Sequence, residues 1–223
     1  MSGVSDAQAF YGRWARLYDV IATHTPGVGS VRDAAVSTLA LEPGDTVVDM
    51  GCGTGANFPF IREQIGPDGT LVGVDYTAAM LDHARDRIDR EGWENVHVVR
   101  GDASRPPISG PVDAVFSSFV VGMLTDPARV VDDWIALIRP GGHITLLDAA
   151  QSSQLVGEPF NLLFQLFVLA SSPPGTSQRH VAPPWEVLDE RVAAARRTLS
   201  HRTTGRHHAE HALGFVQVTG GTV

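Results

Sequence analysis

The residues best suited to chemistry are three glycines and three aspartates. Gly51, Gly53 and Gly55 alternate directly behind the apolar run Val47-Val48-Asp49-Met50. Glycine lets a backbone approach a ligand closely and take positive φ without a steric cost. A helix starting near Asn57 would add unpaired N–H groups and a partial positive charge, a natural seat for a carboxylate. Asp49 precedes the first glycine by two residues; it repels a pyrophosphate and welcomes a cation. Asp75 ends the next apolar run, about where a glycine-loop fold places its ribose-binding acid. Asp102 follows the third run, suited to accept from an adenine amino group.

By spacing alone, Gly51-x-Gly53-x-x-Ala56 also satisfies the relaxed dinucleotide fingerprint, so NAD and S-adenosylmethionine both remain open at this point. Asp49 favours the sulfonium ligand. The absence of lysine removes the Tyr–Lys pair of short-chain dehydrogenases. Cys52 lies inside the loop where a small residue is needed, with no base or cation beside it in sequence, and reads as inert.

Alternating strands and helices must position these groups. Apolar, β-branched runs predict strands at Thr46–Asp49, Leu71–Asp75, Val96–Arg100, Val112–Ser118 and His143–Asp148. Helices are predicted over 31–39, 57–65, 77–90 and 127–138, the last stopped by Arg139-Pro140-Gly141-Gly142. Such alternation indicates a parallel sheet covered on both faces. Residues 183–199 read as an amphipathic helix, and 203–219 as a hairpin closing the sheet edge. Aromatics at 10, 11, 14 and 18 recur at helical spacing, either as core or as a lid. Leu155–Leu169 is apolar: a substrate cap, a dimer interface or a packed helix.

Five stretches in order resemble the class I S-adenosylmethionine-dependent methyltransferases. They are Val47–Gly55, Val74-Asp75, Gly101-Asp102-Ala103, Asp113–Ser118 and Leu137–Ile144. Tyr11-x-x-Trp14-Ala15-x-x-Tyr18-Asp19 is similar to the opening of the ubiquinone/menaquinone-biosynthesis type. Phe119–Leu124 departs from the polar, arginine-containing stretch of those quinone enzymes. The resemblance implies an α/β fold with a doubly wound, mostly parallel seven-stranded sheet and an antiparallel C-terminal hairpin. It implies S-adenosylmethionine as cofactor, with contacts from Asp49, Gly51, Gly53, Thr54, Gly55, Asp75, Tyr76, Met80, Asp102, Ala103 and Ser118. Met80 serves equally well as a core methionine. Tyr18, His24 and Asp148 are the candidates for a general base. His143 starts a strand, the wrong end of a parallel sheet for a ligand.

A single domain spans 1–223 in this reading, with 1–29 as an N-terminal helical lid and 150–182 as a substrate cap insertion. The formal net charge of −8 disfavours nucleic acid as substrate. One cysteine excludes an internal disulfide framework. His207-His208-x-x-His211 splits across the two faces of a strand, so no metal is expected. No signal peptide or membrane span is read in the sequence, and a cytoplasmic protein is expected, with 155–170 as a candidate homodimer interface. The expected activity is methyl transfer to a small apolar or aromatic acceptor. The alternative is a non-catalytic nucleotide-binding module that uses 155–170 for a protein partner.

Overall fold

The computed structural model describes residues 27–171 and 182–223. The aromatic segment 10–18, Tyr18, His24 and nearly all of the expected lid lie outside the described residues, as does the end of the expected cap.

Seven strands form one sheet: β1 (Thr46–Met50), β2 (Thr70–Asp75), β3 (Val96–Arg100), β4 (Val112–Ser118), β5 (Ile138–Ala149), β6 (Thr204–His211) and β7 (Val216–Thr222). Their order is β3-β2-β1-β4-β5-β7-β6. Strands β1 to β5 run parallel. β7 is antiparallel to β5, and β6 to β7. This is the α/β, Rossmann-like sheet with a C-terminal hairpin that the sequence predicts.

Among the described residues six helices cover it: α1 (Val28–Ser37), α2 (Phe58–Ile65), α3 (Ala78–Glu91), α4 (Pro127–Ile135), α5 (Asn161–Ser171) and α6 (Pro184–Arg202). Successive strand residues face opposite ways, and this divides the core in two. Val47 packs with Val36 of α1, Phe58 and Ile61 of α2 and Leu81 of α3. Val48 and Met50 pack with Val131 and Trp134 of α4 and Val192 and Leu199 of α6. Strands β2 and β3 lie to one side of β1, and β4 and β5 to the other. The glycine loop therefore leaves the sheet where the strand order reverses, the usual crevice for a ligand in open α/β sheets.

The junction between α4 and β5 differs from the sequence reading. α4 stops at Ile135, and β5 already begins at Ile138. Arg139-Pro140-Gly141-Gly142 is a bulge within that strand: Val112 pairs with Ile138, and Ala114 next pairs with His143. The bulge is held from the residue after β7: Val223 O accepts from Gly141 N at 2.8 Å and Val223 N donates to Gly142 O at 2.9 Å. The Pro-Gly-Gly signal read locally as a helix stop; a long-range partner keeps it in the sheet.

Candidate functional site

The loop after β1 turns because three glycines accept positive φ: 73° at Gly51, 55° at Gly53 and 74° at Gly55. The Gly51 and Cys52 N–H groups donate to Val74 O at 2.8 and 3.0 Å, which ties the loop to β2. A Cβ at Gly51 would overlap a Val120 methyl, and one at Gly55 would overlap the Phe58 ring. At Gly53 a Cβ would meet nothing within 4 Å. Packing thus demands glycine at two positions, while the third faces open space. Cys52 is buried with its Sγ towards Gly73, where an added Cβ would come within 2.7 Å of it. Burial and the nearby Asp49 and Asp75 push this thiol well up from its ordinary value, so it is a structural residue.

Asp75, at the end of β2, accepts from Gly53 N at 3.0 Å and from Thr77 N at 2.8 Å. Burial pushes its pKa up from the ordinary carboxylate value, and these N–H donors oppose the rise. The Thr77 side chain and the Tyr76 N–H also bond this carboxylate. Tyr76 follows with an exposed ring, and its carbonyl accepts from Arg100 Nε at 3.2 Å. Thr54 is buried, and its carbonyl accepts from Arg87 Nε at 3.2 Å. Met80 of α3 is buried but belongs to neither core cluster.

Asp102 Oδ1 accepts from Ser104 N at 2.8 Å, closing a turn after β3. The next carbonyl, Ala103 O, accepts from Trp134 Nε1 at 2.7 Å. Trp134 is fully buried on α4 and pins this turn to the sheet. Sequence reasoning assigned it no role, since a tryptophan in an amphipathic helix reads only as core.

A buried polar cluster lies behind the loop. Asn57 Nδ2 donates to both Asp49 oxygens, at 3.3 and 3.0 Å, and to Ser118 Oγ at 3.0 Å. Arg32 of α1 donates to Asn57 Oδ1 and to Ser118 Oγ at 3.3 Å. Its guanidinium lies 5.6 Å from the Phe119 ring centroid, within cation–π range. Phe119 has φ 58°, a left-handed conformation that a non-glycine residue takes at a cost. Asp49 is wholly buried; desolvation raises its pKa to about 7, against the pull of Asn57 and Arg32.

Asp148, near the end of β5, is also buried with a pKa raised by desolvation to about 7, and it accepts from the Val121 and Val120 N–H groups. It thereby anchors the turn after β4 that carries the one-turn helix Val121–Met123. The structure brings Asp49, Gly51–Gly55, Asp75 and Ser118 into one hydrogen-bonded neighbourhood, with Tyr76, Asp102 and Ala103 at the same end of the sheet. His143 sits at the opposite end, paired with Ala114 and Thr222. Among the described residues no three His, Cys, Asp or Glu side chains gather as metal ligands. His208 bonds Thr219 Oγ1 at 2.9 Å, while His207 lies against Gly220. Two shallow surface grooves, between α1 and α2 and between α4 and α6, lie away from the glycine loop.

Residues 47–142 match the family model described as a methyltransferase domain. Over these residues the chain carries a methyltransferase domain. Over 128 residues it is 35% identical to the arsenite methyltransferase of Halobacterium salinarum, covering 57% of this chain and 32% of that protein. Over 121 residues it is 26% identical to the demethylmenaquinone methyltransferase of Listeria welshimeri, covering 54% of this chain and 51% of that protein. The chain thus spans a third to a half of the length of these relatives. A methyltransferase structure from Aquifex aeolicus shares the fold, with a TM-score of 0.58 at 19% identity over 85% of this chain and 87% of that one. A Thermotoga maritima O-methyltransferase structure does so with a TM-score of 0.55 at 13% identity, over 87% and 65% of the two chains. Both of these structures are of S-adenosylmethionine-dependent methyltransferases. No helix among the described residues is long and apolar enough to cross a membrane.

Proposed function

We propose that this protein transfers a methyl group to a small acceptor with an apolar or aromatic skeleton, in line with the departing sulfur. The observation that carries this reading is the open face of Gly53, framed by the Asp75 carboxylate that holds its N–H. The bound cofactor supplies a methyl already made electrophilic by the sulfonium charge. The protein's part is to bind, orient and exclude water. The open face of the loop at Gly53 receives the amino-acid end of the cofactor, and Asp75 accepts the ribose hydroxyls. Asp102 and the Ala103 N–H take the adenine edge, with Tyr76 and Met80 flanking it. Thr54 and Ser118 close the site from the sheet side. Asp49 contributes negative charge from beneath the loop.

The acceptor side rests on Leu155–Leu169. Leu162, Leu163, Leu166 and Phe167 of α5 are exposed, while Phe164 stacks on Phe215 with ring centroids 5.3 Å apart. In this reading residues 150–182 cap the acceptor and 1–29 cover it from the other side, within a single domain. The relatives named for arsenite and for a quinone precursor both act on small acceptors. Arsenic(III) is thiophilic, a soft-ligand chemistry; this chain's one cysteine is buried behind the loop, which favours a carbon-skeleton acceptor. The mechanism names no general base: Asp148 is committed to two N–H groups, and Tyr18 and His24 lie outside the described residues. The same apolar face also suits a homodimer.

A survey of methyl transfer from labelled S-adenosylmethionine to phenols, quinols and amines tests the reading. Turnover with an aromatic acceptor is expected. Tight cofactor binding with no turnover on any class would instead favour the non-catalytic module, whose apolar segment serves a protein partner.

A further inference from the structure

Asn57 occupies the N-cap position of α2 yet its side chain caps nothing. Asparagine at this position ordinarily accepts from an N–H of the first turn. Here the amide is diverted into the cluster of Asp49, Ser118 and Arg32. An amide can satisfy this cluster in only one orientation. Arg32 has only donors and takes Oδ1, so Nδ2 must face the Asp49 carboxylate and Ser118 Oγ. Remove the guanidinium and Oδ1 is left buried without that donor, free to turn its lone pairs towards the carboxylate. Asn57 is in turn two residues past Gly55, and Asp49 two residues before Gly51. The cluster thus grips the glycine loop at both ends, and does so from α1, β1 and β4 together.

We propose that Arg32 and Asn57 are positioning residues for the cofactor: Arg32 fixes the Asn57 amide, and the amide holds the Asp49 carboxylate beneath the glycine loop. Neither residue touches the reacting atoms. The proposal rests on the reading that this loop holds S-adenosylmethionine. Its signature is electrostatic. Among the described residues, the groups that bear on Asp49 are Arg32 from α1, Asp75 from β2, the neighbouring Cys52 thiol and the neutral Asn57 and Ser118. A carboxylate that stays ionised under the loop attracts the cationic cofactor, and a protonated one does not. Affinity therefore falls as pH drops through about 7.

Calorimetric titration of S-adenosylmethionine from pH 6 to pH 9 tests this, using wild type, Arg32→Met, Arg32→Lys and Asp49→Asn, each checked for folding by circular dichroism. Wild type should show the acid limb. Arg32→Met should bind at least tenfold more weakly at pH 7.5, with its limb moved to higher pH. Arg32→Lys should stay within about threefold of wild type, because it keeps a donor and the charge. Asp49→Asn is nearly isosteric and should bind weakly with no limb. Wild-type affinity and an unshifted limb in Arg32→Met would overturn the proposal. If Arg32→Met does not fold, an acid limb persisting unchanged in Asp49→Asn overturns it as well. Absence of binding to wild type at every pH overturns the cofactor reading itself, and the proposal with it.

Discussion

Asp49 and Asp148 are both buried carboxylates whose pKa stands at about 7 rather than 3.8, chiefly through desolvation. A carboxylate raised in the folded state binds its proton there while the unfolded chain has already released its own. Its contribution to stability is therefore fully present below about pH 4 and is lost as pH rises through about 7. A displacement of that size corresponds to about 4 kcal/mol. Asp148→Asn keeps an acceptor for the Val120 and Val121 N–H groups and removes the buried charge. It should stabilise the protein at pH 8 by about 1–4 kcal/mol, with the gain gone at pH 4. Urea midpoints at the two pH values measure this, and a variant less stable at pH 8 contradicts it. Aspartates at strand ends were legible in the sequence because an acid interrupts an otherwise apolar run. Arg32 and Asn57 were not. Arginine in Val-Arg-Asp-Ala-Ala reads as a solvated face, and only the packing of α1 against β4 shows it buried.

At the scale of elements, the glycine loop separates two kinds of glycine that look alike in sequence. Gly51→Ala would drive a methyl into Val120 at φ 73° and should cost more than 3 kcal/mol. Gly53→Ala meets open space, so only the left-handed conformation is penalised, by about 1–2 kcal/mol. Gly53→Ala should nonetheless bind S-adenosylmethionine at least tenfold more weakly, because the new methyl projects into the proposed ligand volume. Thermal melts with and without cofactor distinguish the two; equal destabilisation by both variants contradicts the account. The turn at Asp102–Ala103 offers a second check. Trp134→Phe keeps an aromatic ring but removes the donor to Ala103 O and part of the buried ring volume. It should cost about 1–3 kcal/mol and weaken adenosine binding severalfold, measured with S-adenosylhomocysteine. The strands and most helices were legible because their apolar periods are strong. The bulge at 139–142 was not, because its partner is Val223, at the far end of the chain.

For the whole molecule, alternating elements in the sequence sufficed for a parallel sheet with its ligand crevice at the strand ends. The closing hairpin followed from the short polar strand at 204–211. What covers the site was less legible, because an apolar stretch reads the same whether it lines a pocket or packs on a partner. α5 shows why: it is tied down through Phe164, Asn161 and Gln165, while Leu162, Leu163, Leu166 and Phe167 face outward. If that face guides an apolar acceptor, the double variant Leu162→Ser, Phe167→Ser should raise the acceptor KM at least tenfold and leave cofactor affinity unchanged. Steady-state kinetics with the best acceptor from the survey tests this, and an unchanged KM contradicts it. The central claim, that the acid-framed glycine loop is a S-adenosylmethionine site, is tested most directly by titrating S-adenosylhomocysteine into wild type and Asp75→Ala, with NAD as control. The account predicts micromolar binding to wild type, a loss of at least tenfold in Asp75→Ala from the missing charge-assisted bonds to ribose, and no response to NAD. Binding of NAD without S-adenosylhomocysteine, or equal affinity in the Asp75→Ala variant, would contradict it.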